Sequence, residues 1–520
     1  YVEQLRKVLG NTDAYMVISA EDESEPDIIN RLGTYTKSKG FELRPEYHPD
    51  TNELTEPHLA RMHLTFKGHK TPTKSREIAG GRRTPVTALA IGIQRCLRLV
   101  IINLHKVWCE QWLFHTGRTP GACWILDRVQ DFPTHLRHIK SQLLLRDSPL
   151  AGMTGLQSRD YTALYASIGH ADCLDQLSQC IYLAFKYERA KRPLRKGNTD
   201  RRPCDAFRLA GIHVSGKHDK AEWHVATDGK KEHTDIILTP ETLVAHIRYL
   251  FDNIYSTFQQ QVFKQIYGIP MGCNCCVEIA NILCFSYEYA FLLRELRRFT
   301  DALRTRHGRR ASSTSYICAE PLTPTLMFMF TTRRFIDDIS HLIFNNLTAG
   351  MIDHLFYDAR YRGGDDGIYP EQLMGPHGRF VHMPLQLVIS STGTHVNFLD
   401  VTSIFDPTTR SLHFKLYDKR RDMMIFKGVI TFPDHESMVS DNCKYKVIRS
   451  KLFRFDHNCT YARDFIMNTA NLICSMSRNS YNAPRLLHEL HMYGAHWDRS
   501  KGIWALVLRA TTRTVEAHLG

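Results

Sequence analysis

The sequence predicts an α+β protein built from several packed units. Three observations point there. The chain has 520 residues, too many for one ordinary core and enough for roughly three units at ~150 residues each. Hydrophobic residues make up 43% and charged residues 23%, the proportions of a globular chain rather than a disordered or fibrous one. Residues 160–405 alternate apolar, β-prone runs with amphipathic helical stretches, whereas residues 437–520 keep apolar positions at helical spacing alone.

Residues 1–150 mix helical patterns with short extended runs and carry a dense basic stretch at 67–83. Two Arg-rich insertions, about 189–232 and 294–325, interrupt the alternating region. Such runs are usually solvated loops or helix faces, though beside catalytic segments they suit phosphate contact. The net charge of +13 suits a polyanionic partner, with nucleic acid the leading candidate and a generally basic soluble protein the plain alternative. The longest apolar stretch, residues 87–104, is broken by Arg95 and Arg98, so no membrane span is expected. The first residue is Tyr rather than Met and no signal peptide precedes it, which reads as a fragment or excised domain. Fourteen cysteines without paired spacing fit reduced thiols in an intracellular compartment. Cys273, Cys275 and Cys276 lack a second ligand pair for zinc and read as small helix-packing residues.

Two apolar, β-prone runs, residues 326–330 and 340–344, flank an acidic turn at 335–339 and predict a hairpin whose tip exposes Asp337 and Asp338. Adjacent carboxylates repel, and a cation that neutralises them is the usual reason to keep them; oxygen ligands suit magnesium or manganese. A rival pair, Asp365 and Asp366, lies in Gly-Gly-Asp-Asp-Gly with no apolar strand before it and Pro370 soon after, so it reads as a solvent turn. Asp160 belongs to an extended, half-apolar run, residues 159–168, followed by a helical pattern at 172–185. Beside the hairpin tip it would complete a cage for two metal ions ~4 Å apart. Taken alone, an Asp at a strand end is usually a turn or cap residue.

Between these acids lies Gln265-Ile-Tyr-Gly-Ile-Pro-Met-Gly272, a bent glycine loop entering an apolar helix. The acid strand, the glycine loop with its helix and the Ile-Asp-Asp hairpin resemble, in that order, the A, B and C motifs of reverse transcriptases. Penelope-like and related eukaryotic retroelements are the most similar. Residues 160–165 resemble their Asp-Phe-Ser-Ser-Leu-Tyr strand, and residues 265–272 their Gln-x-x-Gly-x-x-Met-Gly loop. Residues 396–401 and 416–420 resemble the segments after the catalytic hairpin, and residues 67–78 the fingers pattern Lys-x-His-Lys followed by Arg-x-Ile. Phe335 stands where Tyr is commoner, and Cys273 where Ser is usual.

The resemblance implies a right-hand polymerase: fingers and an N-terminal extension at 1–155, a palm with an antiparallel sheet and the two insertions at 156–430, and a helical thumb at 431–520. It implies an RNA-directed DNA polymerase that joins dNTPs to a primer 3′-hydroxyl with two Mg2+ or Mn2+ ions held by Asp160, Asp337 and Asp338. Lys70, Arg76, Tyr161, Tyr165 and Gln265 are the implied nucleotide-binding residues, with Lys70 and Arg76 gripping the triphosphate and Tyr165 as the steric gate against a ribose 2′-hydroxyl. Gly268, Pro270, Met271, Gly272 and Phe335 are the implied template and primer contacts. Phe398 to Asp400 would sit near the primer strand. Lys444, Lys446, Arg449, Lys451, Arg454 and Arg463 would track the duplex backbone. RNA template, a DNA or RNA primer and dNTPs are the expected partners, in a nuclear setting. An RNA-dependent RNA polymerase and a catalytically inactive reverse-transcriptase fold kept for RNA binding remain the alternatives.

Overall fold

The computed structural model describes residues 2–519 except 44, 48–52, 68–73, 119–122, 146–147, 149, 192–208, 215–219, 226–235, 308–316, 318–319, 348, 358–366, 371, 375–379, 383–384, 418–434, 438–440 and 497–500. Asp365 and Asp366 lie outside the described residues. The chain mixes helices and sheets. In order its elements are α1 (Val2–Leu9), β1 (Tyr15–Ile18), α2 (Glu25–Ser38), β2 (Ala60–Lys67), β3 (Lys74–Gly80), α3 (Thr87–Thr116), α4 (Asp131–Leu143), β4 (Met153–Tyr161), α5 (His170–Lys191), β5 (Leu209–Val214), β6 (Ala221–Val225), β7 (Ile236–Leu238), α6 (Pro240–Asp252), β8 (Tyr255–Phe258), β9 (Gln261–Gln265) and α7 (Cys276–His307). They continue with β10 (Arg333–Phe335), β11 (Asp338–Phe344), a helix at Ala349–Tyr357, β12 (Gln372–Met374), β13 (Phe380–His382), β14 (Leu387–Gly393), β15 (His395–Phe398), β16 (Val401–Asp406) and β17 (Ser411–Leu416), with the helices before and after them given below by range. Two compact units result: Tyr1–Ile125, Tyr161–Phe330 and Leu347–Val388 form one, and Leu126–Asp160, Thr331–Asn346 and Ile389–Gly520 the other.

In the first unit a five-stranded sheet runs in the order β1-β9-β8-β2-β3, antiparallel except where β2 meets β8. Leu5 and Leu9 of α1 pack on its Met62, Leu64 and Phe263. Helix starts follow their capping residues: Ser24 accepts from Asp27 N ahead of α2, and Thr239 accepts from Thr242 N ahead of α6, each with a Pro in the first turn. By length and composition α3 and α7 could each span a membrane, but 56% and 72% of their most apolar stretches are buried inside the protein, as in core helices. Trp108 of α3 packs against Phe285 of α7, and Arg98 donates to the buried Glu278 of α7 at 2.9 Å. The arginine that interrupts the apolar stretch thus has an acid waiting on the neighbouring helix.

The Arg-rich segments, expected as solvated loops or helix faces, take regular structure where they are described. Residues 294–307 continue α7, with Leu296, Phe299 and Leu303 buried at helical spacing, so the arginines decorate the outside of a core helix. The first insertion contributes β5 and β6 to a sheet of order β6-β5-β7. A further correction concerns residues 326–330, expected as a strand: the chain forms a helix at Pro324–Thr331, with Thr323 Oγ1 accepting from Leu326 N at 3.2 Å and Pro324 at the start. An apolar run buried on all sides has no periodicity to tell helix from strand.

In the second unit the sheet order is β10-β11-β4-β14, beside a meander β15-β16-β17. Ser158 Oγ of β4 donates to Asn397 O of β15 at 3.1 Å. Helices Asp441–Asn458, Ala462–Arg478, Ala483–His496 and Lys501–Leu519 bury Ile448, Leu452, Ile473, Met476, Leu486 and Leu490 together.

Candidate active site

The acid-bearing strands form first. β4 is buried along its length except at the exposed Thr154 and at Asp160, its penultimate residue, which is half-buried. The strand therefore carries Asp160 and ends at Tyr161, which corrects the extended run expected at 159–168; beyond it lies a single 3-10 turn, Tyr165–Ser167. β11 pairs antiparallel with β4, and Asp338 stands directly opposite Asp160. Directly opposed residues share a face with Cα atoms ~5 Å apart, and like charges there repel. Phe335 closes the same row on β10. Asp337 sits with Ile336 in the two-residue turn between β10 and β11. Ile336 has φ +55, a left-handed backbone that a β-branched residue rarely adopts.

Behind the acids the sheet is basic. The next row across it is Arg334, Ile339 and Arg159, and the one after is Arg333, Ser340 and Ser158. All three arginines are at most 1% exposed. Arg334 Nη1 donates to Ile336 O at 3.2 Å, while Arg334 O accepts from Leu126 N at 2.8 Å, so this side chain and its own backbone both brace the turn. Arg159 Nε donates to Gln157 Oε1 at 2.7 Å. Burial, with Arg159 nearby, pushes His341 down to about 3, and burial beside Arg333 holds His135 well below the usual imidazole range. Sequence reasoning missed these arginines, because Arg-Arg beside a turn reads as surface charge.

The donor set of Asp160, Asp337 and Asp338 is all oxygen, half-buried and anionic, the chemistry that hard divalent cations prefer. Among the described residues, no group of three or more His, Cys, Asp or Glu side chains is gathered closely enough to hold a metal ion. Asp160 and Asp338 form a row, with Asp337 in the neighbouring turn, rather than a closed cage.

The glycine loop belongs to the first unit. Gly268 has φ +82, its N–H donates to Ile168 O at 2.9 Å, and Ile269 N donates to Tyr165 O at 2.7 Å, so the loop is stitched to the 3-10 turn that carries Tyr165. His170 Nε2 donates to Gly268 O at 2.8 Å, and Gln265 Nε2 to Tyr267 O at 3.0 Å. At Gly272, φ +118, a Cβ would stand 2.1 Å from Ala79 O, and Ala79 N donates to Met271 O at 2.9 Å. Pro270 and Gln265 are buried, while Met271 and Tyr165 are half-buried. Tyr161 is 4% exposed with its ring against Tyr369, a core position. Arg76 lies on β3 opposite Thr65, and Lys70 is outside the described residues.

A second hairpin in the acid-bearing unit repeats the construction. β15 and β16 are joined by Leu399, φ +54, and Asp400, with Phe398 opposite Val401. Asp400 Oδ1 pairs with Arg454 Nη2 at 2.6 Å. Of the cations expected to track a duplex, Arg454 is thus engaged internally, as is Arg449 with Glu489. Lys444 needs correcting: it is 4% exposed, with its ammonium donating to Ser437 O at 2.7 Å and to His435 O. Lys446 and Arg463 are exposed.

The chain is similar to telomerases of known structure. One is telomerase from Candida albicans in complex with the TWJ fragment of telomeric RNA, at 10% identity and TM-score 0.47, covering 94% of this chain and 67% of that one. Another is apo telomerase from Candida tropicalis, at 9% identity and TM-score 0.37, covering 97% of this chain and 70% of that one. No family model and no curated protein matches the sequence.

Proposed function

We propose that this chain is an RNA-directed DNA polymerase of the reverse-transcriptase type, with fingers, palm and thumb in a right-hand arrangement and kinship to Penelope-like retroelements. The observation that supports it best is the pairing of Asp338 with Asp160 across adjacent strands, with Asp337 in the turn beside them. A protein that opposes two carboxylates pays a repulsion that a non-catalytic fold has no use for.

In this reading Asp160, Asp337 and Asp338 hold two Mg2+ or Mn2+ ions. Bound there, the ions would lower the pKa of the primer 3′-hydroxyl and stabilise charge on the leaving pyrophosphate. Arg334 keeps the turn in the backbone conformation that presents Asp337. Tyr165, set by the glycine loop, fills the space a ribose 2′-hydroxyl needs, and Lys70 and Arg76 grip the triphosphate as point charge and planar fork. Base pairing would choose the nucleotide, while protein contacts to phosphates would carry salt-dependent affinity. RNA template, primer and dNTPs are the partners, and the nucleus is the expected location.

Primer extension on an RNA template with dNTPs tests the reading. Asp337→Asn is expected to lower synthesis by at least roughly 100-fold without loss of fold, a loss typical of removing a preorganised charge at a reacting centre. Retained synthesis, or template-primer binding without extension by wild type in either metal, would overturn it, the latter in favour of an RNA-binding fold. Tyr165→Ala is expected to cut discrimination against rNTPs by roughly 10- to 100-fold, the scale at which a pocket rejects one added hydroxyl. Preference of the wild type for rNTPs would point to an RNA polymerase instead.

A further inference from the structure

The entrance to α7 carries three cysteines in four positions, Cys273, Cys275 and Cys276, and they are not equivalent. Cys273 is half-buried between exposed Gly272 and Asn274, whereas Cys275 and Cys276 are buried. Cys273 Sγ and Cys275 Sγ lie 3.8 Å apart, a hydrogen-bonding contact between sulfurs. Cys276 is held elsewhere as well: its Sγ donates to Pro270 O at 2.7 Å, and burial, with its contact to Cys273, pushes its thiol well up. Cys273, Pro270 and Asn274 also line a cavity of about 50 Å3 whose other walls include Ala79, Gly81 and Ala90. A water needs roughly 10–15 Å3 by this measure, so a molecule the size of hydrogen peroxide fits.

We infer that Cys273 and Cys275 form a peroxide-reactive thiol pair, Cys273 as the attacking sulfur and Cys275 as the resolving one. Thiol contacts from Cys275 and then Cys276, with backbone N–H groups at the head of α7, hold the Cys273 thiol well below its usual range. The same contact and burial push Cys275 well above, so it keeps its proton until it is needed. In the first step the Cys273 thiolate attacks one peroxide oxygen: the S–O bond forms, the O–O bond breaks, and hydroxide leaves and takes a proton from solvent. Sulfur is oxidised by two electrons to the sulfenic acid and the peroxide is reduced. In the second step Cys275 attacks the Cys273 sulfur: the S–S bond forms, the S–O bond breaks, and the departing hydroxide takes the Cys275 proton as water. A disulfide spanning one intervening residue closes a small ring, the kind of strained bond that thiols reverse readily. The pair would fix the backbone at residues 273–275, immediately after the glycine loop. This chemistry is independent of the polymerase reading.

The test treats the folded, reduced chain with substoichiometric hydrogen peroxide, denatures it in an alkylating agent and maps the peptides by mass spectrometry. The peptide bearing residues 273–276 is expected to lose two hydrogens and to keep one alkylated cysteine, at least about tenfold faster than the exposed Cys443 is oxidised. Dithiothreitol should restore it. Cys276→Ser should keep the disulfide, while Cys275→Ser should leave Cys273 to over-oxidise to the sulfinic acid. Oxidation of Cys443 ahead of this peptide, or a disulfide that survives Cys275→Ser, would overturn the assignment. The wild-type measurement stands even if a variant folds poorly.

Discussion

Two hairpins of one unit share a construction and differ in what their aspartate meets. Both turn through Phe, a bulky apolar residue with positive φ, and Asp: Phe335-Ile336-Asp337 and Phe398-Leu399-Asp400. At the second, Asp400 is matched by Arg454 at 2.6 Å, a pair that stabilises the fold. At the first, a further acid, Asp338, opens the next strand and its registered partner is again an acid, Asp160, while the nearest arginines are buried in the rows behind. The same local geometry therefore serves once as structure and once as a collection of negative charge. What differs is the residue brought opposite: an acid across from Asp338, an arginine beside Asp400.

The sharpest way to break this contrast is at the facing acids. Asp338→Asn is expected to abolish synthesis, by at least roughly 100-fold, yet to raise stability by about 0.5–1 kcal/mol in thermal melting, because it relieves a directly opposed like-charge pair. A variant that melted lower would mean that the carboxylate is structural. Acid should separate the regions next. His341 on β11 is neutral in the folded protein down to about pH 3, against 6.5 when unfolded. The unfolded chain therefore binds the extra proton below pH 6.5, and stability should fall as pH drops, by up to about 1.4 kcal/mol per unit from this group. His341→Gln should flatten that slope in denaturant titrations; an unchanged slope would place the acid sensitivity elsewhere. At the second hairpin, Asp400→Asn is expected to lower stability by about 0.5–1 kcal/mol, the opposite sign from Asp338→Asn, since the pair with Arg454 is about one third exposed.

How much of this was legible in advance differs by residue. The order of acid strand, glycine loop and acid hairpin was readable because each depends on local chemistry: a turn, paired carboxylates, and glycines where no Cβ fits, as Gly272 against Ala79 now illustrates. The helix at Pro324–Thr331 was missed because a run buried on every side shows no period. The destination of the charges was also hidden. Lys444, Arg334 and Arg98 look alike in sequence, yet one ammonium caps carbonyls, one guanidinium braces a turn and one meets a glutamate on another helix.

The sequence by itself determined that the chain is a basic, mixed α and β protein, and it named the three aspartates as a candidate set. Only the tertiary structure decided that Asp160 and Asp338 are strand partners, that three arginines are buried behind them, and that Cys273 and Cys275 at the head of α7 bring their sulfurs together. The physical reason is separation along the chain. Periodicity and turn chemistry act over a few residues and are written locally, whereas opposition across a sheet and the burial of a charge depend on segments that only folding brings together.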